Sequence, residues 1–424
     1  MFKNIKTMAS SEIIVGLDIG TTKIAAIVGK RNEFDKIDIL GYGRTESFGV
    51  KRGVVANIEN TVQSIRQAIE KAQQESNVDI KNVCVGIAGQ HIRSMQHHGS
   101  TIRSNSEEPI TEEELAKLTE SMYKLAMQPG EQIIEVFPQE YTIDGEPGVR
   151  HPKGMLGNKI EANFHIITAQ ILAAKNIFKC VKEAGLDISQ LILQPVASGL
   201  AVLSEEEKEA GVALVDIGGG TTDLAIFHDG IIRYTTVIPL GGDVITEDVK
   251  EGCAIIRRYA EDLKVKFGSA LATEMKQEEI VTIPGLRGRP AKEITLKTLA
   301  SIIQARMEEI IGLVYNEILN SKLEKKLIAG IVLTGGGAQL KHLPQLTSFK
   351  TGMDARVGYP NEHLSNIQPE GISSPMYATG VGLVMIGINR SLRELNRSSG
   401  NARATGEKAL SGGAFFRHIK KLFE

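Results

Sequence analysis

The stretch VALVDIGGGTTDLAIFHDG, Val212 to Gly230, runs from apolar residues to an acid, three glycines, two threonines and a second acid before the apolar pattern resumes. It reads as strand, tight turn, strand. IIVGLDIGTTKIAAIVG, from Ile13, repeats the order. Aligned as VGLDIG--TTKIAAI against ALVDIGGGTTDLAIF, the second copy carries two extra glycines. Such a duplication predicts two half-size units, each with its own sheet of similar plan.

The chemistry that suits this pattern is phosphate binding. Glycine permits turn dihedrals that side chains forbid, so closely spaced N–H groups converge on anionic oxygens. On this reading Gly20, Thr21, Thr22 and Lys23 form one loop, and Gly218, Gly219, Gly220, Thr221 and Thr222 the other. The threonines add hydroxyl donors and Lys23 neutralises phosphate charge. Asp18 and Asp216 would repel phosphate directly, so they imply Mg2+ held through water. A plain tight turn is the alternative for either copy taken alone. TGGGAQL supplies a third glycine turn, Gly335 to Gly337, suited to close approach to a flat base. No Rossmann or P-loop pattern occurs.

Other candidates flank these turns. Gln194, after a strand in LQPVASGLAVL, either orients a water against a terminal phosphate or is a simple hydrogen-bonding residue at a crossover. Glutamine removes no proton, so any hydrolysis should be slow. Glu261 and Lys264 lie three apart on one helix face, placed to reach a ribose or base edge, or merely to pair with each other. Gly241 and Gly242 precede a helix starting near Asp243, as a phosphate contact or a cap. The histidines show no metal-ligand spacing.

At 424 residues, 42% hydrophobic and 24% charged, the chain is a folded protein of two or more domains. A net charge of -2 gives no reason to expect nucleic acid as a partner. Three distant cysteines suggest a reducing compartment. GVGLVMIGI, Gly380 to Ile388, is too short to span a bilayer and reads as a buried helix. ENTVQSIRQAIEKAQQES puts Val62, Ile65, Ala68 and Ile69 on one helix face. Thr111 and Glu114 form a capping box for an acidic helix. DVKEGCAIIRRYAEDLKVKFG reads as helix, and ITLKTLASIIQARMEEIIGLVYNEILNSK as a second long one.

DIGTTK, DIGGGTTD, QPVASGLA, AEDLK and TGGGAQL together resemble the five nucleotide-binding motifs of the actin, Hsp70 and sugar-kinase superfamily. Within it the chain resembles the FtsA family of bacterial cell-division proteins. FGVKRGVVANIENTVQSI, VFPQEYTIDGEPGVRHPKGMLGNKIEANFHIIT and SPMYATGVGLV carry that closer likeness, which covers about residues 13 to 390 and the tail. It implies an α/β, actin-like two-domain fold with a central nucleotide cleft and an inserted subdomain, 1C. The implied division is 1–83 and 171–210 with 381–396 as closing helix (1A), 84–170 (1C), 211–265 and 325–380 (2A), and 266–324 (2B). A flexible linker, 397–412, and a membrane-targeting helix, 413–424, follow.

The resemblance also implies ATP and Mg2+ as ligands: Asp18 and Asp216 near the cation, Glu261 and Lys264 at the nucleoside, and Gly335 to Gly337 at the adenosine. Many relatives have Glu where this chain has Gln194. Implied partners are the C-terminal peptide of the tubulin-like protein FtsZ, further copies of the chain in filaments, and later division proteins through 1C. The FtsZ peptide is expected on 2B, at Arg287, Arg289, Lys292 and Arg306, with a solvated basic loop as the alternative. The implied location is the cytoplasmic face of the membrane, at the division septum.

GAFFRHIKKLF has Phe415, Phe416, Ile419, Leu422 and Phe423 at helical spacing, with Arg417, Lys420 and Lys421 mainly on the other face. That pattern suits an interfacial helix on anionic phospholipid. A helix so short is unstable alone in water, so binding per monomer should be weak and filaments should hold by multivalency. Two alternatives remain open for the whole protein: a small-molecule kinase of the same superfamily, and a pilus-assembly relative of the PilM type.

Overall fold

The computed structural model describes residues 12–276, 278–285, 290–365 and 368–398. The first copy of the repeated motif forms β1 (Ile14–Ile19) and β2 (Lys23–Arg31), extended by β3 (Ile37–Glu46). A small hairpin, β4 (Val50–Lys51) and β5 (Val54–Val55), leads into α1 (Ile58–Ser76). In α1, Val62, Ile65, Ala68 and Ile69 are buried together, as their spacing predicts. Asn57 accepts the Asn60 N–H at 2.9 Å to cap the helix, and Asn77 ends it at φ 54°.

β6 (Asn82–Ile87) pairs parallel to β1 and is buried at every position but its first. Residues 84–87 therefore belong to the first sheet, and the boundary expected at 84 falls inside this strand. The inserted sheet begins later, with β7 (Ile92–Ile102), followed by α2 (Glu112–Met122), β8 (Glu131–Ile143), β9 (Glu146–Val149) and β10 (Lys159–Gln170). Its strand order is β7-β10-β8-β9. The capping box forms: Thr111 Oγ1 accepts the Glu114 N–H and Glu114 accepts the Thr111 N–H. Leu118 and Met122 of α2 pack on Val136, Ile160 and Phe164, a core separate from that of the first sheet.

The chain then returns through α3 (Ile171–Glu183), β11 (Asp187–Leu193), α4 (Gln194–Val202) and α5 (Glu205–Ala210). The second half comprises β12 (Val212–Ile217), β13 (Thr222–His228), β14 (Ile231–Ile238), α6 (Gly242–Gly252), α7 (Arg257–Phe267), β15 (Ile280–Ile283), β16 (Lys292–Thr295), α8 (Leu296–Asn320), β17 (Ile331–Thr334), α9 (Leu343–Thr351) and β18 (Ala355–Val357), before α10 (Ala378–Ser398). The two main sheets share one plan, β3-β2-β1-β6-β11 and β14-β13-β12-β17-β18, three antiparallel strands and then two parallel ones. The expected single helix after Asp248 is instead two. α6 ends at Gly252, a poor helix former, and Ala254 takes φ 47°, so α7 folds back on α6.

The repeated hairpins match more closely than the sequence alignment allowed. Asp18 pairs with Ala25 and Ile19 with Ile24; Asp216 pairs with Asp223 and Ile217 with Thr222. Each turn is closed by one bond of 2.9 Å, Gly20 N–H to Lys23 O and Gly218 N–H to Thr221 O. The copies therefore align without a gap, Lys23 matching Thr221 and Ala25 matching Asp223. The two extra glycines were an artefact of matching threonine to threonine, because strand register and not residue identity fixes turn length.

α10 contains the apolar run at 380–388, with Val381, Leu383 and Val384 buried. It ends at Ser398, two residues into the expected linker. Residues expected in the second half also reach the first. Ile37 N–H donates to His363 O and Ser365 N–H to Ile37 O, both 2.9 Å, which covers part of the β3 edge. The inserted sheet likewise covers the edge strand β14. Ser94 Oγ donates to Thr235 O (2.8 Å), Gln96 Nε2 to Arg233 O (3.1 Å) and Gln139 Nε2 to Arg233 O (3.1 Å). His165 Nε2 meets Thr235 Oγ1 at 3.0 Å in the same contact, fully buried.

Candidate functional site

The two hairpin tips face each other. A methyl built on Gly219 would overlap the Thr22 side chain, and one on Gly220 would lie 2.5 Å from Thr21 Oγ1. Glycine at these two positions lets the halves close to contact. Just behind the tips stand the acids. Asp18, almost fully buried, accepts Lys23 Nζ at 2.5 Å and Gln194 Nε2 at 3.2 Å. Lys23 also lies 5.8 Å from the Tyr377 ring centroid. Asp216 accepts Ser198 Oγ at 2.7 Å and Thr379 Oγ1 at 3.4 Å. Burial pushes its carboxyl above the ordinary range, Ser198 counters that, and Asp18 adds to it.

A third acid completes the group. Asp223, opposite Asp216 across the hairpin, is 6% exposed, and its Oδ1 has no hydrogen-bond partner. Burial, then Asp216, push its carboxyl well above the ordinary range. Sequence reasoning passed over Asp223 because the gapped alignment paired it with Lys23; the gapless register was the signal that would have found it. Thr379 had no sequence signal. Ser198 had one, since it follows Gln194 by one helical turn.

The remaining candidates gather around the second turn. Gly335, at φ 82°, packs against Asp216 and Ile217, as does Gly337 against Ile217, while a methyl on Gly336 would meet nothing within 4 Å. Only the middle glycine thus faces open space. At the start of α6, Gly242 N–H donates to Gly218 O (2.9 Å) and Asp243 N–H to Gly219 O (2.8 Å). These first amides fasten α6 to the turn and are committed to it. Lys264 Nζ donates to Gly242 O (3.0 Å) and Thr246 Oγ1 (2.8 Å) and pairs with Glu261 at 2.7 Å. Glu261 also accepts Thr246 Oγ1, a residue the sequence did not single out.

The basic group expected to hold the FtsZ peptide is only partly described. Arg287 and Arg289 lie outside the described residues, as do Phe415, Phe416, Arg417, Ile419, Lys420, Lys421, Leu422 and Phe423 of the tail. Lys292 is exposed on β16. Arg306 sits about 15 Å along α8 from its start, where it grips Asp248 of α6 through Nε (2.6 Å) and Nη2 (2.9 Å) and pairs with Glu309. Its guanidinium fastens two helices and does not join Lys292.

Three acids, two of them pushed by burial toward the neutral form, stand near the Lys23 ammonium, and their oxygens are a donor set that would suit a hard cation. Among the described residues no three His, Cys, Asp or Glu side chains are grouped to hold a metal ion. With fewer than three such ligands together, a cation at this cleft would need water to complete its shell.

Residues 213–382 match the family model described as cell division protein FtsA, and residues 89–168 that of the SHS2 domain inserted in FtsA. The cell division protein FtsA of Pseudomonas aeruginosa is 39% identical over 405 residues, covering 95% of both chains. FtsA of Escherichia coli strain K12 is 36% identical over 385 residues, 89% of this chain and 90% of that one. Among solved structures, MreB 5 of Spiroplasma citri bound to AMPPNP aligns with a TM-score of 0.55 at 16% identity, over 91% of this chain and 99% of that one. This last likeness is one of fold.

Proposed function

The chain belongs to the FtsA family of cell-division proteins, and from that premise we propose that it is an ATP-binding, actin-like protein. It polymerises on the inner face of the cytoplasmic membrane, anchors FtsZ filaments there and helps recruit later division proteins. The observation that carries the nucleotide reading is the pair of matched hairpins with Asp18 and Asp216 behind their tips. The turns Gly20–Lys23 and Gly218–Thr222 would hold a triphosphate, and Lys23, now on Asp18, would be the cation available to it. Asp18 and Asp216 would hold Mg2+ through water, and the ion would supply the charge neutralisation that lets acids and phosphates share one cleft. Lys264 and Glu261 border the nucleoside, and Gly336 the base. Gln194 provides no carboxylate, so hydrolysis is slow.

Among the described residues no helix is long and apolar enough to cross a membrane. We assign peripheral attachment to the amphipathic pattern Phe415–Phe423. The inserted subdomain contributes to self-assembly and to contacts with later division proteins, and the FtsZ peptide binds 2B near Arg287, Arg289 and Lys292.

Co-sedimentation with anionic vesicles tests this reading. The intact chain with ATP and Mg2+ pellets and forms filaments visible on a lipid monolayer, while a chain ending at Ser411 stays in solution. Equal pelleting of the two would remove the membrane role, and rapid phosphorylation of a small polyol would replace the scaffold with a kinase.

A further inference from the structure

α4 carries a polar side chain onto each of the two opposed acids. Gln194, its first residue, donates to Asp18 of the first half, and Ser198, four residues on, donates to Asp216 of the second. Residues so spaced share a helix face and stand ~6 Å apart along the axis. Between and beyond them α4 is apolar or small, with Pro195, Ala197, Gly199, Ala201 and Val202 buried. Ser198 is fully buried and also meets Thr379 Oγ1 at 3.0 Å. Thr379 stands at the start of α10, the helix that packs on α4 so closely that a methyl on Gly382 would overlap the Ala197 carbonyl oxygen.

We infer that α4 is a spacer that sets the separation and orientation of the two cleft acids, with Gln194, Ser198 and Thr379 as positioning residues for the cation. This rests on reading the cleft as a Mg2+–nucleotide site. A carboxylate that holds a cation through water needs fixed donors on its other lone pairs, or it turns toward whatever donor is nearest. The donors on Asp216 are the hydroxyls of α4 and α10. The donors on Asp18 are Lys23, which a phosphate competes for, and Gln194. Once nucleotide draws Lys23 away, α4 holds both acids.

The test is calorimetric titration of the full chain with ATP, in excess Mg2+ and again in EDTA, with thermal melts to confirm folding. Wild type gains affinity with Mg2+. Ser198→Ala loses about tenfold of that gain, the scale of one hydrogen bond to a charged group, and keeps its affinity in EDTA. Thr379→Ser retains the gain and Thr379→Val loses part of it, which keeps the test open if Ser198→Ala does not fold. Gln194→Leu combined with Ser198→Ala loses less than the sum of the two, because both act on one cation. Equal losses in Mg2+ and EDTA, additive losses, or unchanged variants beside a Mg2+-dependent wild type would each overturn the spacer. A wild type that binds ATP in neither buffer would overturn the nucleotide reading and the spacer with it.

Discussion

Gly335→Ala tests the close packing behind the second hairpin. Gly335 holds φ 82° and follows β17, whose Thr334 pairs with Asp216. Its new methyl would overlap the Asp216 carboxylate oxygen and lie 2.6 Å from Ile217 O. The carboxylate can swing aside, but the backbone carbonyl cannot move without shifting the strand. A positive φ with ψ at 176° is open almost only to glycine and costs an L-residue about 1–3 kcal/mol, and overpacking a dense site about 1–3 kcal/mol more. We expect the variant to lose about 2–6 kcal/mol of stability in the second half, and Asp216 to leave the Ser198 hydroxyl. Gly336→Ala is the control. Its methyl meets nothing within 4 Å, so it should change stability by less than about 1 kcal/mol. Urea denaturation followed by circular dichroism, with chymotrypsin digestion to locate the loosened half, measures both. Equal effects of the two substitutions would refute the claim that Gly335 is chosen for its contact with Asp216.

Further outcomes follow from the insertion and its contact. Arg103, then the Thr111 backbone, hold the Glu114 carboxyl down at about 2 from the ordinary 4.5. A carboxyl lowered on folding stabilises above its unfolded value and stops doing so as pH falls through its folded one. The stability advantage of wild type over Glu114→Gln should therefore be complete above pH 4.5 and shrink toward pH 2 in acid titrations followed by near-ultraviolet dichroism. His165, buried against Thr235, is held down at about 4, where its free value is 6.5. Its neutral form favours the docked insertion above pH 6.5, and stability falls by up to about 1.4 kcal/mol per pH unit toward pH 4. His165→Gln should flatten that slope in urea midpoints measured across the range; an unchanged slope would clear His165. Arg306→Met should destabilise the α6–α8 contact by about 1–3 kcal/mol while leaving FtsZ-peptide affinity, measured by fluorescence anisotropy, within twofold.

Local signals were legible from residues alone. DIGTTK and DIGGGTTD announce tight hairpins because each apolar strand is broken by only a few glycine and threonine residues before the next one starts. The faces of α1 and the Thr111–Glu114 box are written in spacings of three and four residues. The duplication predicted two sheets of one plan, and the strand orders agree. The glycine count misled at one point, since a turn's length depends on which residues pair across it.

Long-range pairings were decided elsewhere. That Ser198 and Thr379 meet on Asp216, that Asp248 claims Arg306, and that β6 joins the first sheet all require chain segments distant in sequence to be packed together. A carboxylate in an isolated hairpin is an ordinary hydrated acid. Asp223 becomes a buried group with an unpartnered oxygen only when Asp216 sits beside it and the surrounding structure excludes water. Backbone preference and side-chain period are properties of a dozen neighbouring residues, so the sequence by itself determined where the turns fall, most of the helices and the repeat. Burial, donor supply and charge coupling depend on every element that closes over a site, so the tertiary structure alone decided which acids share the cleft and which side chains hold them.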